Sequence, residues 1–196
     1  MILTIQKLGS IVLRCKLGTI LALLALGCTS ASAATVYMLT VPATTAWTDT
    51  GIDVVAGDRI TISATGTAIF GANAGQSSGP DGGDLFGGNT FDPLSLYPNT
   101  VVVSLIGKIG GTTAIGTGTP LTPGVPGNGP GFVGSSYDQI ALISGRLFLG
   151  FNDHGDAFGD NSGSFSVIVT VPEPSTFALA GFGAFLLLRK RCLRLK

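Results

Sequence analysis

Three aspartates lie close together in the segment FNDHGDAFGDNSGSFSV, which spans residues 151–167. They are Asp153, Asp156 and Asp160, and asparagines and glycines stand between and around them. Like charges this close repel each other, so the segment needs either a cation between its carboxylates or exposure to water. Carboxylate, amide and main-chain oxygens are the ligands that Ca²⁺ prefers, and glycines let carbonyls turn inward. The residue types leave two interpretations open, a calcium loop and a solvated Asx-rich turn.

The charge of the central part of the chain is compatible with cation binding. Between residues 34 and 171 the chain has three basic residues and ten aspartates, a formal charge of three minus ten, or −7. This charge argues against nucleic acid and anionic lipid as partners. The same part has no Cys, and its only His is His154, so a zinc site is not expected. Without disulfides, the fold depends on its core or on a metal.

No catalytic motif accompanies these aspartates. The central part has no GxSxG, no HExxH and no Cys with a His partner. Asp153 and Asp160 could imitate a glycosidase pair, but a general acid needs a burial that a water-facing, glycine-rich loop does not provide. The segment also fits neither the EF-hand pattern nor a glycine-rich nonapeptide calcium repeat. An enzyme is therefore the least expected class of protein.

Four stretches of the chain have the pattern of β-strands. Apolar and polar residues alternate in GDRITISATGTAIF, GRLFLGF and GSFSVIVTV, and TVVVSLIGKIG is a run rich in β-branched residues. In GRLFLGF the pattern places Leu147, Leu149 and Phe151 inside and Phe148 outside. Short alternating strands between glycine-rich turns predict an all-β fold, an antiparallel sandwich or barrel.

Two long segments between these strands are predicted to be loops, residues 71–98 and 116–136. The second is rich in Pro and Gly, and it is also compatible with a linker between two domains. A loop is the preferred interpretation, because the strands on either side are too few for two separate cores. We therefore expect one β-sandwich domain over residues 34–171.

Residues 1–33 have the parts of a secretory signal peptide. The apolar run 17–28 follows basic residues and precedes small residues at 31–33, which predicts a signal helix and cleavage before Ala34. An uncleaved membrane anchor is the alternative, but the apolar run is short for a membrane span. The residues before Cys28 are less compatible with a lipoprotein.

Residues 172–196 begin with Pro172-Glu173-Pro174, continue with an apolar run at 177–188 and end in a basic tail. The two prolines keep the start of this segment extended and accessible. The three parts and their order resemble the PEP-CTERM sorting signal. The resemblance implies an exosortase-type sorting enzyme as partner and a membrane contact through a short C-terminal hydrophobic helix before processing. It also implies export to the cell envelope, cell surface or extracellular matrix of a Gram-negative-type bacterium.

The segment NDHGDAFGDNSGSFSV resembles the calcium loop of the PA-IL-type galactophilic lectins, small bacterial β-sandwich proteins that bind galactose through a calcium ion. Its Asn-Asp start and its Asn-Ser-Gly-Ser-Phe end are the specific part of the likeness. SLIGKIGGTTAIGTG and GDRITISATGTAIFG resemble two strands of the same family, and the likeness extends from Thr48 to Val171. The resemblance implies an antiparallel β-sandwich of the galactose-binding, jelly-roll-like type.

The resemblance also implies calcium as cofactor and a set of ligands, position by position. The side-chain ligands would be Asp153, Asp160 and Asn161, and the main-chain carbonyls would be those of Ala157 and Phe70. Asp160 stands where the lectins commonly have Asn, so Asp153 and Asp160 together could balance a divalent charge. The expected carbohydrate contacts are Asp153, His154, Asp160 and Asn161. For His154, a solvent-facing loop residue is the preferred interpretation.

One part of the chain departs from the lectin pattern. The segment that closes over the sugar in those lectins has a His and a Gln, whereas SGPDGGDLFGGNTFDP has no His. Asp81, Phe86 and Asn89 of this segment could contact a ligand, but they cannot be aligned with the lectins. Galactose specificity therefore does not transfer.

Two hypotheses for the function follow. In the first, the protein is a calcium-dependent glycan-binding module, and two adjacent open positions of the ion face solvent and accept vicinal sugar hydroxyls. In the second, it is a structural surface or matrix protein in which calcium only stiffens the loop. The sorting signal is common to both.

The C-terminal signal generates a prediction about the mature protein. If an exosortase-type enzyme processes the chain, the surface-exposed form lacks the residues beyond the Pro172-Glu173-Pro174 segment. Intact-mass measurement of the protein recovered from the cell surface checks this. A mature protein that still carries Arg189–Lys196 would contradict it.

Overall fold

The structure, a computed structural model, describes residues 34–71, 75–83 and 91–172. These residues form antiparallel strands and no helix. The strands are β1 (Ala34–Pro42), β2 (Trp47–Val54), β3 (Arg59–Phe70), β4 (Ser77–Ser78), β5 (Leu105–Ile109), β6 (Thr119–Pro120), β7 (Ser136–Ile140), β8 (Gly145–Phe151) and β9 (Asn161–Pro172).

Two sheets make up the fold. The five-stranded sheet has the order β1-β9-β3-β4, and β7 also pairs with β3. The four-stranded sheet has the order β2-β8-β5-β6. One hydrophobic core contains residues of both sheets, among them Phe165 of β9 and Phe151 of β8, whose ring centroids are 5.9 Å apart. The predicted all-β, antiparallel β-sandwich is therefore confirmed.

The long strands β3 and β9 follow the alternation that the sequence predicts. Ile60, Ile62 and Ala64 of β3 are buried, while the residues between them face solvent. On β9 the residues Phe165 and Val169 point into the same core. Full burial of such a side chain contributes about 1.5–3 kcal/mol, so the inward-facing residues of both strands stabilise the core between the sheets.

Strand β8 departs from the prediction, because both of its faces are buried. Phe148, which alternation places outside, is only 4% exposed. It packs with Trp47 and Ile106 in a second, smaller cluster on the outer face of the four-stranded sheet. Lys108 lies in this cluster with its Nζ 4.2 Å from the centroid of the Trp47 ring, and its burial lowers the pKa of the ammonium group. Tertiary packing thus decides the burial of Phe148.

The run TVVVSLIGKIG forms a strand over only part of its length. β5 begins at Leu105, and Val101–Ser104 form a turn in which Val103 has a φ of 50°. The Oγ of Ser104 donates to the carbonyl of Val101 at 2.6 Å, and the side chain of Asn152 donates to the same carbonyl at 3.0 Å. These hydrogen bonds hold the turn against the β-propensity of its valines.

Both predicted loops contain short strands, β4 in residues 71–98 and β6 in residues 116–136. Leu121 and Val133 of the second segment are buried in the core between the sheets. The segment therefore packs onto the sandwich and does not link two separate cores.

The predicted signal helix and C-terminal helix lie outside the described residues, as do Glu173 and Pro174 of the sorting motif. Pro172 is the last residue of β9 and pairs with Ala34 of β1. Within the described ranges, no helix has the length and hydrophobicity that a membrane crossing requires.

The packing generates a prediction with a matched control. Ile62→Ala removes a side chain that is 1% exposed, and it should lower the free energy of unfolding by about 2–5 kcal/mol. Ile168→Ala makes the same change at a residue that is 40% exposed, and it should cost less than about 1 kcal/mol. Urea denaturation measures both. Equal losses for the two variants would contradict the assignment of the core face.

Candidate functional site

The acidic segment forms the connection between β8 and β9, residues 152–160. Asp153 lies two residues after the end of β8, and Asn161 is the first residue of β9. Their side chains meet across the connection, where the Nδ2 of Asn161 donates to the Oδ2 of Asp153 at 2.8 Å. Both residues are buried, with exposed fractions of 8% for Asp153 and 6% for Asn161. The structure therefore brings together two of the predicted ligands.

The amide group of Asn161 has a buried oxygen without a partner. Its nitrogen donates to the carbonyl of Ala43 at 3.0 Å as well as to Asp153. Among the described residues, its Oδ1 has no hydrogen-bond partner and is shielded from solvent. A buried acceptor left unsatisfied costs about 1–3 kcal/mol. The oxygen is thus available to an electron-pair acceptor, and a hard cation is the kind that amide oxygens ligate.

The carboxylate of Asp153 also lacks a positive partner in the part of the chain that the structure describes. Its Oδ1 accepts the main-chain amide of His154 at 2.8 Å, and its Oδ2 accepts the amide of Asn161. The ion pairs found among the described residues involve other carboxylates. A buried carboxylate compensated only by neutral donors favours the approach of a cation.

The other predicted ligands are Phe70, Ala157 and Asp160. Phe70, the last residue of β3, pairs with Asn161 in the sheet. Ala157 closes a turn, since its amide donates to the carbonyl of His154 at 3.1 Å. Asp160 is exposed and precedes Asn161 directly. The structure therefore places Phe70 beside the buried pair and leaves Asp160 at the surface.

In the described ranges, no group of three or more His, Cys, Asp or Glu side chains converges in a way that could hold a metal. A cation at Asp153 would therefore depend on amide and main-chain oxygens as well as on carboxylates, and this mixture is typical of calcium. The residues present fit such an ion because the amide group of Asn161, which contacts the buried carboxylate through its nitrogen, has a buried oxygen without a partner.

Asn152 anchors the start of the connection to a neighbouring segment. Its side chain is fully buried, and its Nδ2 donates to the carbonyls of Thr100 and Val101 at 3.1 and 3.0 Å. Its Oδ1 accepts the amide of Tyr97 at 3.0 Å. Main-chain hydrogen bonds continue this contact, from Leu96 to the carbonyl of Asp153 at 2.9 Å. Residues 96–104 therefore hold Asp153 in place.

His154 is held by Asp92, a residue that no sequence motif indicates as part of the site. The Nε2 of His154 lies 2.5 Å from the Oδ2 of Asp92. The amide of Leu94 and then the His154 ring lower the pKa of Asp92 by donating to its carboxylate. The ring is 33% exposed, so the expectation of a freely solvent-facing residue is only partly met. An Asp followed by Pro93 is a turn signal, but this signal alone does not reveal the contact with His154.

Asp81 forms a hydrogen bond between two other segments of the chain. Its Oδ1 accepts the amide of Ser135 at 2.7 Å, which ties the segment after β4 to the segment before β7. Phe86 and Asn89, the other residues considered for ligand contact, lie outside the described residues.

The buried pair of Asp153 and Asn161 lies at the β8–β9 connection of a two-sheet antiparallel β-sandwich. Residues 38–173 match the family model described as PA-IL-like protein, so the chain belongs to that family. Residues 170–191 match the PEP-CTERM protein-sorting motif. Both resemblances are thus confirmed, and together they indicate an exported, lectin-like protein of the cell envelope or surface.

The solved structures similar to this chain include the EclA N-terminal domain, described as a PllA-like lectin. It shares 26% sequence identity, and the match covers 69% of this chain and 95% of that chain with a TM-score of 0.48. The comparison with curated proteins finds no match.

The anchoring by Asn152 generates a prediction. Asn152→Ala leaves the amide of Tyr97 and two carbonyls without their buried partner, so the free energy of unfolding should fall by at least about 2 kcal/mol. Asn99→Ala, at an exposed position in the same segment, should change it by less than about 0.5 kcal/mol. Chemical denaturation measures both, and a loss for Asn152→Ala as small as that of the control would contradict the role of the anchor.

Proposed function

We propose that this protein is a calcium-dependent carbohydrate-binding protein, with the cation held at the β8–β9 connection. The observation that carries the proposal is the buried, unpaired Oδ1 of Asn161, in an amide group whose Nδ2 donates to the buried carboxylate of Asp153. A buried amide oxygen without a partner and a buried carboxylate, neither of them neutralised by a basic side chain among the described residues, have the chemistry of a Ca²⁺ site.

The remaining ligands of the proposed site come from both ends of the connection. Asp160 adds a second carboxylate and brings the ligand charge to −2, which matches a divalent ion. The carbonyls of Ala157 and Phe70 add neutral oxygens, as the family resemblance implies. Pairing of Phe70 with Asn161 supports this set, because it places the end of β3 beside the buried pair.

The proposed ligand is a saccharide with hydroxyl groups on adjacent carbons. A calcium ion, when bound, would accept two such hydroxyls in its open positions, and the carboxylates of Asp153 and Asp160 would accept hydrogen bonds from them. His154, next to Asp153, would contact the same ligand from the side. Asp92 and the exposed Asp156 make the surroundings acidic, so we expect neutral saccharides to bind better than uronic acids.

The sorting motif supports the cellular part of the proposal. We propose that the signal peptide is removed before Ala34, that an exosortase-type enzyme recognises Pro172-Glu173-Pro174, and that the domain acts at the cell envelope, cell surface or extracellular matrix. A binding module with these destinations would meet cell-surface glycans or exopolysaccharide. The chain belongs to a lectin-like family, and residues 34–171 contain no catalytic motif. Both observations support a function other than catalysis.

The proposed calcium site is tested with three Asp→Asn variants, in which the side chain keeps its size and loses its charge. Asp153→Asn and Asp160→Asn each remove one ligand charge, so each should weaken calcium binding by at least about tenfold, or about 1.4 kcal/mol. Asp156→Asn removes the same charge from an exposed position of the same loop and should change the affinity by less than about twofold. Isothermal calorimetry measures the affinities, and calcium should raise the melting temperature of the wild type.

The outcomes separate the two functional hypotheses. If calcium binds and a glycan array gives signals that chelator removes, the carbohydrate-binding function is supported. If calcium binds but no glycan on a broad array does, the structural role of a calcium-stiffened loop takes its place. An Asp156→Asn loss equal to the other two would show that the ligand set is wrong, and an unchanged melting curve after chelation would favour a plain Asx-rich turn.

A further inference from the structure

The only histidine of the chain is bound to a carboxylate beside the proposed calcium site. The Nε2 of His154 and the Oδ2 of Asp92 are 2.5 Å apart, and the side chains are only 33% and 18% exposed. A histidine in an open loop would be solvated on both nitrogens. Here one nitrogen has a fixed partner from a different segment of the chain.

Main-chain contacts hold both members of this pair. His154 forms an isolated β-bridge with Ser95, and its amide donates to the Oδ1 of Asp153. The Oδ1 of Asp92 accepts the amide of Leu94 at 2.9 Å, which leaves the Oδ2 for the imidazole. The position of the ring is therefore determined from both sides, by the β8–β9 connection and by residues 92–95.

The contact also selects the proton position on the ring. A carboxylate only accepts hydrogen bonds, so the Nε2 of His154 must carry the proton that it donates to Asp92. In the neutral imidazole, the Nδ1 is then a hydrogen-bond acceptor. The imidazole ring of His154, which follows the proposed calcium ligand Asp153, thus has its Nε2 as a donor and its Nδ1 as an acceptor.

We propose that Asp92 is a positioning residue for ligand recognition. By holding His154 in the tautomer with the proton on Nε2, Asp92 makes the Nδ1 an acceptor for a hydroxyl group of the saccharide at the proposed calcium site. This inference rests on the function proposed above. In this proposal, a side chain of the β8–β9 connection, His154, contacts the sugar. The segment 79–93, where the lectins have a contacting His, contains none in this chain.

The test begins with the tautomer, which can be measured without any ligand. Because the chain has a single histidine, the imidazole nitrogens of uniformly ¹⁵N-labelled, full-length protein without a histidine tag give one assignable pattern in a long-range ¹H–¹⁵N spectrum. At a pH where the ring is neutral, the wild type should show the proton on Nε2 only. Asp92→Asn places an amide group against the ring, and the pattern should change to a mixture or to the other tautomer. Asp156→Asn, the matched loss of charge, should leave the pattern unchanged.

Affinity for a glycan that the array identifies, measured at saturating calcium, tests the functional part. Asp92→Asn and His154→Ala should each weaken glycan binding by about three- to tenfold, the value of one hydrogen bond. The calcium affinity of both variants should stay within about twofold of the wild type, since neither residue is among the proposed ligands. Asp156→Asn should retain the glycan affinity. His154→Ala leaves Asp92 in place, so the ring is tested even if Asp92→Asn fails to fold.

Each outcome decides the inference. A wild-type ring with the proton on Nδ1, or with both tautomers, overturns it. A change of tautomer in Asp92→Asn without a change in glycan affinity also overturns it, and leaves the proposed function standing. If the wild type binds calcium but no glycan, the proposed function fails together with the role of His154, and the tautomer pattern then reports only a structural contact.

Discussion

The contact between Asp153 and Asn161 is the constraint on which the candidate site depends. It joins the first turn after β8 to the first residue of β9, and it uses both amide protons of Asn161 once Ala43 is included. The geometry that satisfies the nitrogen leaves the oxygen buried without a partner. This buried oxygen without a partner is the observation that supports the cation site proposed above.

The sandwich provides the rigidity that this contact requires. β3 and β9 pair along nearly their whole length, so the end of β3 and the start of β9 meet at Phe70 and Asn161. On the other side, Asn152 and the main chain of Asp153 are bound to residues 96–104. The connection is thus held at both ends by ordered structure, although two of its residues, Gly155 and Gly159, are glycines. A flexible loop would have to become ordered on binding, and the entropy lost would lower the affinity. This connection is largely positioned before a ligand binds.

The negative charge of residues 34–171 and the sorting signal are both compatible with the proposed calcium binding. Few basic side chains lie in the central part of the chain, so no abundant internal cation competes for the carboxylates of the β8–β9 connection. The same charge argues against nucleic acid and anionic lipid as partners. An exported protein meets millimolar-range calcium more readily than a cytosolic one, and weak extracellular calcium sites operate in that range, about 10⁻⁴–10⁻³ M.

The sequence by itself determined the strands β3, β8 and β9, the acidic connection and the sorting motif, because these depend on local alternation and on motifs that are contiguous in the chain. It did not reveal the turn at Val101–Ser104 or the burial of Phe148, since both depend on partners far away in sequence, Asn152 and Trp47. For the site, residue types and the family resemblance predicted Asp153 and Asn161. Only the tertiary structure decided that Asn161 has an orphaned oxygen and that Asp92 holds His154. Hydrogen bonds between segments 50 or more residues apart leave no periodic signal in either segment, so they become visible only when the sheets have brought those segments together.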